Sequence, residues 1–309
     1  MADVTDMAFR CVIAKYGKPD VMWTEFVSAD GLCHEKGREK LLKDLEYTES
    51  ERPIVAQLFT AHPLKMEGAA RLCQKLGFDG IDINMGCPDK SIEKQGAGAA
   101  LIKSPKIARE IIRAAKRGAP NLPISVKTRT GYHKDELDKW IPELLEEGIS
   151  ALTVHARTRK EMSDVPARWD MIARAVEIRN KMGVDTLIIG NGDVKDLRDA
   201  REKAKQTGAD GIMLGRAIFG NPFLFSNSQE YENRNNTAVQ IKYLKVMVEH
   251  TKLFEELLGG VKSFAIMKKH YKAYVNGFDG AKELRTELME AKDASEVESI
   301  VKRFLGSKV

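Results

Sequence analysis

The chain has 309 residues, of which 43% are hydrophobic and 31% charged, and its formal net charge is +5 at pH 7. This composition allows a large buried core, typical of one large domain and a small one, and no apolar run is long enough to cross a bilayer. The mild positive charge is compatible with a polyanionic partner but does not by itself indicate nucleic acid.

Four cysteines lie in the first third of the chain: Cys11, Cys33, Cys73 and Cys87. They have neither CxxC nor Cys/His spacing, so we expect no metal site. The opening segment MADVTDMAFR is polar and of mixed charge, unlike a signal peptide. We therefore expect reduced thiols in a cytoplasmic protein that does not enter a membrane.

Short β-rich runs alternate with longer amphipathic stretches along the first 225 residues. The predicted strands are 21–27, 53–59, 80–85, 123–128, 151–156, 185–190 and 211–215. Several of the intervening helical stretches end in Gly or in Lys/Arg, as helix C-termini do. The alternation predicts a parallel sheet covered by helices. Seven strands at this spacing, with no GxGxxG in the first unit, favour a (β/α)8 TIM barrel over an open doubly wound sheet.

This number of strands is one short of a closed barrel. Residues 3–17, DVTDMAFRCVIAKYG, already have the pattern of a turn after a strand, followed by a helix. We therefore expect the first strand to lie upstream of Met1. A barrel that closes in a different way is the alternative.

The pattern changes after Pro222, because residues 237–306 show only helical periodicity. We predict two domains: a catalytic barrel over residues 1–228 and an all-helical C-terminal domain over residues 237–309. Acidic and basic residues nearly balance in the second domain, so a binding surface there would depend on their arrangement.

Polar side chains recur near the C-terminal ends of four predicted strands. Side chains alternate along a strand, so residues of the same parity share a face. The polar residues predicted to share the inner face of the barrel are Gln57, Asp82, Asn84, Ser125, Lys127, Arg129, Thr153, His155 and Arg157. Barrel interiors are normally apolar and active sites lie at the C-terminal mouth, so these residues indicate a site. The alternative is that they pair among themselves as structural hydrogen bonds.

Glycine-containing turns follow the last two predicted strands, GNGDV at 190–194 and GRAIFGNP at 215–222. Backbone N–H groups in such turns can hold a phosphate, and Arg216 can bind it as well. The loops after the last two strands of a TIM barrel are its usual phosphate site. We therefore expect a phosphorylated ligand across the top of the barrel.

Eight segments, in this order and spacing, resemble the tRNA-dihydrouridine synthase family: DVTDMAFR, QLF, DINMGCP, GAGAALI, VKTRTG, VHARTR, NGDV and GRAIFGNP. The most specific part is MGCPDKSIEKQGAGAALI. The resemblance covers residues 1 to about 225 and, more loosely, the last domain. It implies a barrel enzyme that carries FMN, takes electrons from NADPH and reduces the C5–C6 double bond of specific uridines in tRNA.

The resemblance also implies roles for individual residues. The residues expected to bind FMN are Gln57 and Lys127 at the isoalloxazine edge, His155 near the ring and phosphate, and Asn191, Gly192, Asp193, Gly215 and Arg216 at the phosphate. The residues expected to bind the substrate are Asn84, Arg129 and Arg157 at the uracil, and Arg159, Lys269, His270 and Tyr274 on the tRNA-binding surface.

Cys87 is the expected catalytic residue. In the implied reaction a hydride passes from flavin N5 to C6 of uracil, and C5 must then receive a proton. A thiol with an ordinary pKa of about 8.5 is mostly protonated at neutral pH and can serve as that general acid. Gly86 lets the backbone turn and Pro88 stiffens the exit. The alternative for Cys87 is a packed core cysteine.

Two other functions stay open. One is an FMN-dependent dehydrogenase of a free pyrimidine, similar to dihydroorotate dehydrogenase, in which the thiol acts as a base. The other is a non-catalytic tRNA-binding protein. The helical domain and VHARTR favour tRNA over a free base, and the presence of Lys127, His155 and Cys87 favours catalysis. We expect a monomer whose partner is tRNA.

Overall fold

The computed structural model describes residues 1, 3–226, 231, 233 and 236–306. It divides into two compact units. Unit 1 comprises Met1–Met22, Glu46–Arg52 and Ala217–Val309, and unit 2 comprises Trp23–Leu45 and Pro53–Arg216. The predicted domains placed residues 1–22 with the barrel, whereas the structure groups them with the C-terminal helices. Residues 228 and 309, which bound the predicted domains, lie outside the described residues.

The sheet has seven strands, and all seven predicted strands are confirmed. They are β1 (Met22–Ser28), β2 (Ile54–Phe59), β3 (Gly80–Asn84), β4 (Ile124–Arg129), β5 (Ala151–His155), β6 (Leu187–Asn191) and β7 (Gly211–Met213). They are hydrogen-bonded in sequence order, and each pair from β2 to β7 is parallel. Sequential parallel order with helical crossovers is the topology of a TIM barrel. Among the described residues no eighth strand completes the sheet, so the upstream strand stays a prediction.

Eight helices connect and cover the strands of unit 2. They are α2 (Ala29–Leu32), α3 (Glu35–Leu42), α4 (Pro63–Lys75), α5 (Lys90–Glu93), α6 (Pro105–Gly118), α7 (Leu137–Leu145), α8 (Asp170–Met182) and α9 (Leu197–Thr207). Helix α6 begins with Pro105 at its first turn and buries Ala108, Ile111, Ile112 and Ala115 on one face, as the 3.6-residue period requires. Helix α6 therefore packs its apolar face inward.

The other five helices of the described residues belong to unit 1: α1 (Met7–Tyr16), α10 (Thr237–Leu258), α11 (Ala265–Tyr274), α12 (Ala281–Glu290) and α13 (Ala294–Gly306). They share one apolar core, to which α1 contributes Ala8 and Val12. This packing is the physical reason why residues 1–22 group with the C-terminal helices. In the described part of the chain, no helix has the length and apolar character needed to span a membrane.

Candidate functional site

The parallel register brings the predicted polar side chains of the sheet into three rows. The rows are Gln57, Asp82 and Ser125; then Asn84, Lys127 and Thr153; then Arg129, His155 and Asn191. Residues in register on neighbouring strands project from the same face of a sheet. The last row lies at the carboxyl ends of β4, β5 and β6, and Asn84 of the second row ends β3. Barrel enzymes carry their active sites at this edge. The expected convergence of these residues is confirmed.

The turn that carries Cys87 is held by Asn84. The Oδ1 of Asn84 accepts hydrogen bonds from the backbone N–H groups of Gly86 at 3.1 Å and Cys87 at 3.0 Å. On the other side of the turn, the backbone N–H of Ala99 donates to the carbonyl oxygen of Cys87 at 2.9 Å. Gly98 has φ +61°, and a Cβ there would lie 2.7 Å from that carbonyl oxygen, so a side chain at 98 would displace the turn.

The environment of Cys87 favours its protonated thiol. Cys87 is half-buried, and burial raises its pKa above the ordinary value. The Asp89 carboxylate acts in the same direction, while the backbone N–H of Asp89 and the charges of Arg129 and Lys127 oppose it. A raised pKa keeps the proton on the sulfur at neutral pH, which a general acid requires. Cys73, in contrast, lies in the core of unit 2, where burial raises its pKa to about 12.

Lys127 is half-buried between Asn84 and Thr153. Within the described residues its ammonium has no hydrogen-bond or ion-pair partner. Burial, together with the Arg129 charge, lowers its pKa to about 8, although Asp82 and Cys87 act in the opposite direction. An ammonium without a partner in such a place is costly, so this position suits an anionic group on a ligand.

Arg129 is buried and donates to three backbone carbonyls. Its Nε donates to Gly86 at 2.9 Å, and its Nη1 donates to Thr158 and Met162 at 3.0 Å each. Burial and then the Arg157 charge lower its pKa to about 10. Arg129 thus braces the turn that carries Cys87 and joins it to the loop after β5.

Arg157, predicted to face uracil, contacts the residues predicted to lie near the flavin and its phosphate. Its Nε donates to the carbonyl of Val165 at 2.6 Å, its Nη1 lies 3.1 Å from Nε2 of His155, and its Nη2 binds the Asp193 carboxylate. Asp193 also accepts a 2.5 Å hydrogen bond from Arg216. Burial lowers the pKa of His155 to about 2, and four neighbouring positive charges contribute to this shift: Lys127, Arg129, Arg157 and Arg216. The imidazole is therefore neutral.

The glycine turn after β6 is the predicted phosphate site. Gly192 has φ +128°, and a Cβ there would lie 2.9 Å from the Cβ of Ala167. The Nδ2 of Asn191 donates to the carbonyl of Met213 at 2.8 Å, which ties this turn to β7. Gly215 has open space around it, and the Arg216 side chain is 67% exposed. The exposed Arg216 guanidinium, which also binds Asp193, and the backbone at Gly215 are the donors that an anion could use here.

Two of the residues predicted for the tRNA-binding surface are in the wrong place for that role. His270 and Tyr274 lie in the core of unit 1, with exposures of 0% and 2%. Positions 267, 270, 271 and 274 of α11 share one face, and this face packs inward. Lys269 is exposed and lies 3.6 Å from an Asp3 oxygen. Arg159 in unit 2 binds Glu93.

Sequence reasoning placed Asp82 on the inner face but assigned it no role, and Glu93 was missed. Asp82 is the first residue of the DINMGCP segment and Glu93 follows it closely. The signal for Asp82 was that it has the same parity as Asn84. In the part of the chain that the structure describes, no group of His, Cys, Asp and Glu side chains could hold a metal ion.

A family model and curated relatives identify one family. Residues 1–307 match the family model described as Dihydrouridine synthase (Dus). A "Probable tRNA-dihydrouridine synthase" of Staphylococcus aureus (strain COL) is 39% identical over 98% of this chain and 91% of its own length. A "Probable tRNA-dihydrouridine synthase 2" of Bacillus subtilis (strain 168) is 39% identical over 98% and 92%. A solved structure of DHODH from Eimeria tenella with ferulenol is 15% identical, covering 55% of this chain and 54% of that one, with a TM-score of only 0.41.

Proposed function

The chain belongs to the dihydrouridine synthase family, and on this premise we propose that it reduces the C5–C6 double bond of specific uridines in tRNA. The observation that carries the proposal is the position of Cys87. Its half-buried thiol has a raised pKa and lies at the carboxyl edge of the sheet, on a turn held by Asn84. Such a thiol can donate a proton to a carbon that has just received a hydride.

The residues present fit a flavin mononucleotide. Lys127 offers an ammonium without a partner among the described residues, and Arg216 with the turn at Gly192 offers donors for a phosphate. The residues that would hold FMN are Gln57, Lys127, His155, Asn191, Gly192, Asp193, Gly215 and Arg216. When bound, FMN supplies the hydride for C6 of uracil, with NADPH as the reductant.

Three side chains at the site would each have a separate role in the reaction. Lys127 stabilises negative charge in its neighbourhood because burial strengthens its field. Cys87 gives its proton to C5 of uracil and afterwards recovers one from solvent. Asn84 has one amide hydrogen left beyond its bonds to the turn and to Gln57, and it can donate that hydrogen to the base.

Binding of tRNA requires that the target uridine leave its stack and enter the mouth. Arg159, beside the mouth, and the exposed Lys269 of α11 are the predicted tRNA contacts that remain available at least in part on the surface. Each would bind phosphate and contribute to an affinity that falls with salt concentration.

The test is an assay of the purified chain with FMN, NADPH and tRNA that lacks dihydrouridine. Mass spectrometry of the digested tRNA should show a mass increase of two hydrogen atoms at defined uridines, and Cys87→Ala should abolish it. The rival is a dehydrogenase of a free pyrimidine. Faster oxidation of the reduced protein by orotate or uracil than by tRNA would overturn the proposal in favour of that rival.

A further inference from the structure

Asp82 is a buried acidic side chain to which the proposed chemistry assigns no part. Its exposure is 0%. Its Oδ2 accepts a 2.7 Å hydrogen bond from Nε2 of Gln57, and its Oδ1 accepts a 2.6 Å hydrogen bond from the hydroxyl of Ser125. A carboxylate in such a place is costly unless donors face its oxygens. One of these donors, Gln57, belongs to the proposed flavin site.

A continuous chain of hydrogen bonds joins Asp82 to the turn that carries Cys87. Gln57 donates to Asp82 through Nε2, and its Oε1 accepts a 3.2 Å hydrogen bond from Nδ2 of Asn84. The Oδ1 of Asn84 accepts in turn from the backbone N–H groups of Gly86 and Cys87. Two side-chain amides on neighbouring strands thus connect a buried carboxylate to the backbone beside the thiol.

The two ends of this chain determine how both side-chain amides are oriented. Burial raises the pKa of Asp82, while the donors Ser125 and Gln57 and the Lys127 charge lower it. The Asp82 oxygen that faces Gln57 accepts from the Gln57 nitrogen, which leaves the Gln57 oxygen for Asn84. Backbone N–H groups only donate, so Asn84 must present its oxygen to the turn and its nitrogen to Gln57. Both requirements give the same arrangement. If either amide were reversed, two donors or two acceptors would face each other at one of these contacts, and that hydrogen bond would be lost.

We propose that Asp82 is a positioning residue for the reaction: it holds the Gln57 amide in one orientation and, through Asn84, holds the turn that presents Cys87. Asp82 makes no contact with the thiol, so its effect passes through the two amides. The proposal rests on the proposed function for its effect on catalysis, because only that function requires Cys87 to be placed over a substrate.

Two substitutions of Asp82 distinguish its effect on the orientation of the Gln57 amide from the effect of its negative charge. Asp82→Ala removes both acceptor oxygens, so the Gln57 nitrogen loses its partner. Asn84 then keeps its bonds to the turn, but its other partner, the Gln57 side chain, is free to move. Asp82→Asn removes the charge near Lys127 but retains the orientation, because its oxygen can still accept from Gln57 while its nitrogen donates to the Ser125 hydroxyl. Ser125→Ala is the matched control, because it removes the other hydrogen bond to Asp82 and leaves the bond from Gln57 in place.

The first measurement is the rate at which iodoacetamide alkylates Cys87, followed by mass spectrometry of the peptide that contains it. We expect Asp82→Ala to raise this rate several-fold because the turn is released, while Asp82→Asn and Ser125→Ala retain the wild-type rate. The fully buried Cys73 reports folding in the same sample, since it reacts only if unit 2 opens. This measurement requires neither flavin nor tRNA, so it stands even if the proposed function fails.

The second measurement is steady-state kinetics with FMN, NADPH and unmodified tRNA. We expect Asp82→Ala to lower kcat roughly tenfold to a hundredfold, as small displacements of reacting groups do, with KM for tRNA unchanged and Asp82→Asn recovering most of the loss. The proposal is overturned if Asp82→Ala leaves Cys87 alkylation unchanged while Cys73 stays protected. It is also overturned if Asp82→Asn is impaired as much as Asp82→Ala, because charge would then be the cause.

Exposure of Cys73 in Asp82→Ala would mean that unit 2 of this variant has unfolded. In that case Gln57→Met is the variant to use, because it interrupts the same chain of hydrogen bonds one residue closer to the thiol. It should raise the alkylation rate of Cys87 while Cys73 stays protected. An unchanged rate in that variant would overturn the proposal as well.

Discussion

The backbone N–H of Cys87 donates a 3.0 Å hydrogen bond to Oδ1 of Asn84. The residue predicted to face the uracil therefore also holds the turn that carries the proposed acid. On the proposed function, substrate recognition and placement of the thiol would both depend on this one side chain.

Cys87→Ser should abolish most of the activity without affecting the fold. A serine hydroxyl fits the same turn but is a far weaker acid than a thiol, so protonation of C5 should slow by about 10²- to 10⁴-fold. The measurement is dihydrouridine formed per unit time, with tRNA binding and thermal melting as controls. Cys73→Ser should leave the activity of the folded protein unchanged, and a Cys87→Ser protein with wild-type activity would remove the thiol from the mechanism.

Lys127→Met should weaken FMN binding roughly tenfold to a hundredfold, since hydrogen bonds to charged groups contribute about 1.5–3 kcal/mol. The pKa of about 8 adds a pH dependence. The ammonium is present below pH 8 and is lost as the pH rises through it, so FMN affinity should fall above pH 8 in the wild type and not in the variant. Titration by flavin fluorescence measures both effects. Lys181→Met, on the exposed surface of α8, is the control and should behave as wild type.

Glu51→Gln should destabilise unit 1 by about 3–5 kcal/mol, because it leaves a buried guanidinium without its counter-charge. Arg10 and Glu51 form an ion pair of 2.5 Å with side-chain exposures of 2% and 0%. The neighbouring Glu49→Gln breaks a largely exposed pair with Arg52 and should cost less than about 1 kcal/mol. Urea denaturation followed by circular dichroism measures both, and equal losses in the two variants would contradict the burial argument.

The stability of unit 1 should fall with acid because of two buried histidines. The rings of His250 and His270 have centroids 4.7 Å apart, and both side chains are fully buried. Burial lowers the pKa of His270 to about 4 and that of His250 well below its ordinary value. Between about pH 6.5 and 4 these histidines bind protons in the unfolded chain but stay neutral in the folded chain. The free energy of unfolding therefore decreases as the pH falls through this window.

The expected loss is on the order of 1 kcal/mol per pH unit for each histidine. Denaturation at pH 7 and pH 5 measures it. His270→Phe should reduce the slope, whereas His133→Phe, at an exposed position, should not. An unchanged slope in His270→Phe would show that other groups carry the acid sensitivity.

The burial of His270 and Tyr274 was not predictable from KKHYKAY alone. The burial of one helix face can be predicted when apolar residues lie on that face alone. In KKHYKAY, lysine, histidine and tyrosine are distributed around the helix, so the sequence does not indicate which face packs against a core. Phe9 of α1 decides it, because its ring lies 5.4 Å from that of His270. This contact joins residues that are far apart in sequence.

What the sequence determined by itself is local and periodic. Strand alternation has a period of two, so the seven strands, their inner faces and the turn at Cys87 followed from residue parity and from glycine and proline positions. Only the tertiary structure decided which polar groups meet: Arg157 with Asp193, Asp82 with Gln57, and α1 with the C-terminal helices. Those pairings depend on the distance between strands and on the space left by neighbouring side chains, and neither quantity is contained in a local pattern.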